Sequence, residues 1–277
     1  MPEAGIALAR DGAEISFDVH ASGRTGAPRL LLVHSLALDR SVWDGVVAEL
    51  AGEADVLTVD ARGHGASAKG AGPFTTAQFA ADLACVLRAA GWERAIVAGA
   101  SMGGSVALNF AIDYPALTAG LGLIDTTAWY GPEAPQTWHE RGQKALEGGL
   151  ASLVAFQVSR WFSDGFRAAR TDLVQKYTDV FLKNPPAMYA ATCDMLGNLD
   201  VRAGLPAIAV PTEILVGSED YATPPAMAEA LAAAIPGARL TLVEGARHLT
   251  PIEIPGRVAE VLRTVIARSE VGVANRR

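Results

Sequence analysis

The chain has 277 residues, enough for one large domain or two modest ones built on a real hydrophobic core. Charged residues make up 19% and hydrophobic residues 50%, which argues against long disordered stretches. The 23 basic and 30 acidic residues leave a net charge of −7 with no run of Lys and Arg, so nucleic acid and anionic membrane surfaces are poor partners.

The first elements expected are two alternating stretches, Gly5 to Ala9 and Glu14 to His20, which flank Arg10-Asp11-Gly12-Ala13 as an antiparallel hairpin. Short aliphatic runs follow at Leu30 to Val33, Val56 to Val59, Ala95 to Ala98, Leu121 to Ile124 and Glu213 to Val216, as in strands buried on both faces. Helices are expected between them. Gln78 to Ala90 sets Phe79, Leu83, Val86 and Leu87 on one stripe before Gly91, and Val106 to Ile112 repeats the pattern. Such alternation predicts an open α/β fold, a mostly parallel sheet with helices on both faces and right-handed crossovers.

The alternation breaks off between Gly131 and Val210, where Trp, Arg, Gln and helix formers replace aliphatic strand runs. Prolines mark both edges, in Gly131-Pro132 and Val210-Pro211, and the stretch reads as an inserted helical lid. The expected division is a core of residues 1–130 and 211–277 with a lid of residues 131–210. Strand Glu213 to Val216, helix Pro225 to Ala234, strand Leu240 to Val243 and helix Gly256 to Ala267 complete the core, and the tail from Ser269 reads as frayed. Two cysteines, Cys85 and Cys193, make neither a disulfide framework nor a Cys-x-x-Cys pair. Met-Pro-Glu at the start lacks the features of a secretory signal, and no apolar run approaches the roughly 18 to 20 residues of a spanning helix. The cytoplasm is the expected location.

Gly99-Ala100-Ser101-Met102-Gly103 stands between an expected strand and an expected helix. A serine hydroxyl is a weak nucleophile until a sharp turn presents it to a base, and such a turn needs small residues two before and two after the serine. Five histidines are available as the base: His20, His34, His64, His139 and His248. His248, in the loop after the last strand, can reach back over the C-terminal edge of the sheet. His20 belongs to the hairpin, and His139, in the lid, could touch substrate. A carboxylate must then fix the histidine's tautomer, and Asp220, just past strand Glu213 to Val216, gives the order Ser, Asp, His expected of this architecture. Asp125, at the end of strand Leu121 to Ile124, is a rival, and Glu219 is expected to be solvated. Backbone N–H groups of Leu36 and Met102 occupy the positions of an oxyanion hole, with His34 buttressing the loop. Asp60 to Ser67 lacks the Gly-Lys-Ser/Thr ending of a phosphate loop and reads as a structural turn.

Together these placements resemble the α/β-hydrolase family over nearly the whole chain. Within it the resemblance is to the 3-oxoadipate enol-lactonases, carried by His34-Ser35-Leu36, Asp39-Arg40-Ser41-Val42-Trp43, Arg62-Gly63-His64-Gly65, Trp138-His139-Glu140-Arg141, Arg160-Trp161-Phe162 and Glu219 to Pro225. Two departures stand out: Asp125-Thr126-Thr127-Ala128-Trp129-Tyr130 replaces a segment closer to Asn-Thr-Ala and a basic residue, and Ala37 replaces a usual glycine.

The resemblance implies a serine hydrolase that opens a small lactone bearing a carboxylate, with no metal or cofactor; no His-x-His or His-Glu-x-x-His cluster of zinc-ligand spacing occurs. Trp138, Arg141 and Arg160 are the candidate substrate-binding residues, the arginines because a planar guanidinium suits bidentate pairing with a carboxylate. Two other readings stay open: a carboxylesterase, thioesterase or C–C bond hydrolase with the same triad, and a ligand-binding relative without turnover. Oligomeric state is not written in the sequence.

Overall fold

The computed structural model describes residues 2–70 and 72–274. The two alternating stretches form an antiparallel hairpin of β1 (Glu3–Leu8) and β2 (Glu14–His20). The aliphatic runs become β3 (Arg29–Val33), β4 (Asp55–Val59), β5 (Ala95–Ala100), β6 (Thr118–Ile124), β7 (Thr212–Gly217) and β8 (Arg239–Val243). Among the described residues these make one eight-stranded sheet in the order β1-β2-β4-β3-β5-β6-β7-β8. β2 joins β4 antiparallel, and the remaining pairs from β4 to β8 are parallel. Every residue of β5 and of β7 is buried, as continuous aliphatic runs covered on both faces require.

Helices α1 (Asp44–Glu49), α2 (Thr76–Ala89) and α3 (Met102–Asp113) fill the first crossovers. Thr75 caps α2 by accepting a hydrogen bond from Gln78 N–H, and Phe79, Leu83, Val86 and Leu87 are buried along it. Between β6 and β7 run α4 (Ala134–Gly148), α5 (Val154–Trp161), α6 (Asp164–Ala169), α7 (Thr171–Leu182) and α8 (Pro186–Gly197). A single bridge from Trp129 to Asp200 is the only strand-like pairing at this insertion among the described residues. Then come α9 (Pro225–Ala234), α10 (Thr250–Glu253) and α11 (Pro255–Ala274). α2 packs on α3 and β1, whereas α11 packs on α1, β6 and β7.

Two elements differ from the sequence reading. α1 has six residues and no side-chain cap, too little for a periodic signal. α11 continues past Ser269, whose hydroxyl donates back to the Val265 carbonyl, so the tail is helical through Ala274. Residues 275–277 of that expected tail lie outside the described residues.

The turn at Asp60 to Ser67 is a polar knot. Arg62, 4% exposed, donates to both oxygens of buried Asp82 on α2 and to Asp11 at the hairpin tip. Burial pushes the Asp82 carboxyl up even with Arg62 alongside it, so the pair contributes less than its geometry suggests, while breaking it leaves a charge stranded. Arg62→Met should therefore lower the unfolding free energy by about 3 to 5 kcal/mol, and adding Asp82→Leu should recover most of that loss. Urea unfolding of the two variants checks both halves of the expectation.

Candidate active site

β5 ends at Ala100 and α3 starts at Met102, so the chain reverses through Ser101 alone, at φ 54 and ψ −118. A non-glycine residue there costs of the order of 1 to 3 kcal/mol and must be held from outside. Ser101 N–H donates to the Ile124 carbonyl at 2.9 Å, and the Ser101 carbonyl accepts from Thr126 Oγ1 at 2.7 Å. The flanking glycines answer to contact. A Cβ on Gly99 would stand 2.1 Å from the Gly103 carbonyl, and one on Gly103 would stand 2.1 Å from the Val33 oxygen.

Ser101 Oγ lies 2.9 Å from His248 Nε2, and His248 Nδ1 lies 2.8 Å from Asp220 Oδ2. These three come from the ends of β5, β8 and β7 and meet at the carboxyl edge of the sheet. Because Asp220 is the acceptor, Nδ1 carries the ring proton and Nε2 faces the serine as an acceptor, a tautomer assigned from the network. Burial raises the Asp220 carboxyl, but the charge of His248 and the N–H groups of Ala222 and Thr223 outweigh it and hold the group below its ordinary value.

Asp125 lies outside this chain of bonds. It is wholly buried at φ 48, and its Oδ2 accepts from the N–H and hydroxyl of Thr250 at 3.0 and 2.6 Å. Its Oδ1 has no partner among the described residues. Burial and the nearby charge of Asp220 push this carboxyl well above its ordinary value, so of the two carboxyls Asp220 is the one that carries the charge.

His248 sits in a loop fastened to the helical insertion. Leu249 N–H donates to the Trp161 carbonyl at 3.0 Å, and Arg247 Nη1 donates to the carbonyls of Ser159 and Phe162. Glu219, expected to be solvated, pairs with Arg247 at 3.3 Å.

The segment after β3 forms a turn from Ser35 to Leu38, closed by Leu38 N–H on the Ser35 carbonyl, with Ala37 at φ 57. His34 Nδ1–H donates to the same carbonyl at 2.7 Å, and its Nε2 accepts from Ala61 N–H at 2.9 Å. A trans peptide sets C=O and N–H in opposite directions, so fixing the Ser35 carbonyl fixes the Leu36 N–H as well. Neither Leu36 N–H nor Met102 N–H meets a backbone acceptor among the described residues. Ser35, Leu36, Ser101 and His248 all line one cavity.

That cavity, about 630 Å³, is roofed by the insertion and is also lined by Trp138, Arg141 and Arg160. Arg141 Nε donates to Tyr189 Oη at 2.6 Å, its Nη2 donates to Gln157 Oε1 at 2.8 Å, and its guanidinium lies 4.6 Å over the Trp138 ring. Arg160 donates to the Tyr221 carbonyl and lies over Phe156. Every one of these partners is neutral. Burial and the charge of Arg141 lower the Arg160 guanidinium.

Sequence reading missed Gln157, Phe156 and Tyr130 as lining residues. Burial pushes the Tyr130 phenol up, so it stays protonated beside Ser101 and Ser105. His139 instead stands exposed against Asp194 at 3.0 Å, and His20 contacts Thr58. Among the described residues no cluster of three His, Cys, Asp or Glu could hold a metal, and no helix is long and apolar enough to cross a membrane.

A family model for the alpha/beta hydrolase fold matches residues 28–255. The 3-oxoadipate enol-lactonase 1 of Acinetobacter baylyi is 33% identical over 253 residues, 91% of this chain and 92% of the relative. The crystal structure of the enol-lactonase from Burkholderia xenovorans LB400 superposes with a TM-score of 0.89 at 30% identity, covering 95% of this chain and 100% of that one. A thermophilic esterase from Thermogutta terrifontis, with malate bound, superposes with a TM-score of 0.88 at 30% identity over 96% and 99% of the two chains.

The histidines beneath the turn are buried, which disfavours their protonation. Burial holds His34 below its ordinary value and His64, 5.1 Å from it, down at about 3. Below pH 6.5 the unfolded chain takes up a proton that folded His64 refuses, so this contribution is intact above 6.5 and lost as pH falls toward 3. Asp125 titrates with the opposite sign and cancels when two proteins sharing it are compared. The stability advantage of the wild type over His64→Asn should shrink by about 1.4 kcal/mol per pH unit between about pH 6 and pH 4. Parallel stability curves from denaturant unfolding would show that folded His64 titrates normally.

Proposed function

The chain belongs to the α/β-hydrolase fold family, and on that premise we propose that it hydrolyses 3-oxoadipate enol-lactone to 3-oxoadipate through an acyl-enzyme on Ser101. It is a hydrolase of the ester and lactone type. The observation that carries the finer reading is the line of bonds from Ser101 Oγ through His248 to Asp220, opening on a cavity lined by two arginines that pair with no carboxylate among the described residues.

In this reading His248 Nε2 takes the Ser101 proton as Oγ attacks the lactone carbonyl, and Asp220 stabilises the imidazolium. The tetrahedral oxyanion is met by Leu36 and Met102 N–H. Collapse breaks the ring C–O bond, and His248 returns its proton to the enol oxygen, which stays tethered to the acyl chain on Ser101. Water, deprotonated by His248, then attacks the acyl carbon, and its hydroxyl completes the carboxylate as Ser101 recovers its proton. The freed enol tautomerises to the ketone and draws the reaction forward. Helices α4 to α8 act as the lid, and Arg141, Arg160 and Trp138 receive the substrate's remote carboxylate.

Ser101→Ala should lose fluorophosphonate labelling and at least about a thousandfold of turnover. Asp220→Asn should cost orders of magnitude in kcat, since an amide favours the wrong tautomer, while Asp125→Asn should cost less than about tenfold. Steady-state rates of the three variants on the enol-lactone and on p-nitrophenyl acetate decide this, and a reversed order of the two Asp variants would move the acid to the end of β6.

Arg141→Met and Arg160→Met test the substrate class. On the carboxylate-bearing lactone each should lower kcat/KM by about 2 kcal/mol, roughly 30-fold, with a much smaller loss on a neutral ester of similar size. Equal losses on both substrates would mean that the arginines only hold the helices together. Faster turnover of the neutral ester by the wild type would place the chain with esterases.

A further inference from the structure

The turn that carries the Leu36 N–H is held from two sides. Below it, His34 and Leu38 fix the Ser35 carbonyl. From the insertion comes Asn184, between α7 and α8, whose side-chain amide donates to the carbonyl of Ala37 at 2.7 Å. The same nitrogen faces the carbonyls of Val180 and Phe181 at 3.0 and 3.1 Å. Three surrounding carbonyls require the nitrogen there and set the orientation of the amide. Asn184 is itself buried and precedes Pro185, which restricts its backbone.

Ala37 is where such a hold is needed. At φ 57 its Cβ crowds the following carbonyl, a cost that glycine escapes, and without a clamp the peptide that follows is free to rotate toward a right-handed turn. We propose that Asn184 is a positioning residue for the oxyanion hole: it reaches from the helical insertion to hold Ala37 left-handed, so that the turn keeps Leu36 N–H free and fixed beside Ser101. This inference rests on the hydrolase reading of Ser101 and adds to it a residue from a different part of the chain. Tyr177 Oη, on α7, donates to the Ser41 carbonyl at 2.7 Å and fastens the helix that leads into Asn184 to the segment just beyond the turn.

The test is a double-mutant cycle. Asn184→Ser retains a hydroxyl able to bond back to Val180 but too short to span to Ala37. On p-nitrophenyl acetate it should lower kcat about tenfold with KM changed less than about twofold, because the oxyanion exists only in the transition state. In an Ala37→Gly background the same substitution should cost less than about threefold, since glycine adopts the left-handed conformation without the strain that the Asn184 bond offsets. Asn184→Ala, which removes the donor without setting a carboxylate against three carbonyls, takes its place in the cycle if the serine variant does not fold. Equal losses in both backgrounds, a loss confined to KM, or no loss in the Ala37 background overturns the inference. Failure of fluorophosphonate to label wild-type Ser101 would instead overturn the reading of the serine, and this inference with it.

Discussion

Between the last residue of β5 and the first of α3 the backbone turns through Ser101 alone, and it turns so tightly that neither Gly99 nor Gly103 has space for a Cβ. The serine hydroxyl is therefore pushed up from the sheet edge into the cavity. Its backbone strain is distributed over neighbours that have little freedom themselves, with Ile124 accepting from its N–H and Thr126 donating to its carbonyl. From that fixed point the other distances follow: a histidine from the loop after β8 reaches Oγ, and a carboxylate from the end of β7 reaches the histidine.

Charge is arranged just as locally. A chain with a net charge of −7 keeps two guanidinium groups in a cavity that Glu133, Glu140 and Lys144 also line, and hydrogen-bonds them to neutral groups: a phenol, an amide and a backbone carbonyl. Such partners orient a cation without cancelling its field. The two buried carboxyls show the converse. Asp220 keeps its charge because a histidine and two N–H groups face it, and Asp125, close enough to feel that charge, is driven toward the neutral acid.

What could be read from the chain beforehand was whatever is decided within a few residues. The reversal at Ser101 needs Gly99 and Gly103 between a strand and a helix, and all three lie within five consecutive residues. Asp220 and His248 follow strands that announce themselves by aliphatic runs. The partners of Arg141 could not be read, because Gln157 and Tyr189 reach it from α5 and α8, and the packing of amphipathic helices in an insertion leaves no register in the sequence. Asn184 is hidden for the same reason, bonding to a residue 147 positions away. His139 had the chemistry of a substrate contact but lies on the outward side of α4, a matter of helical phase.

The bonds from Leu249 to Trp161 and from Arg247 to Ser159 and Phe162 run between the loop that carries His248 and the helix that roofs the cavity. They make a mechanical interlock. α5 cannot lift away without pulling on the backbone next to His248. Any displacement of that helix is therefore passed on to the loop that sets His248 Nε2 against Ser101 Oγ.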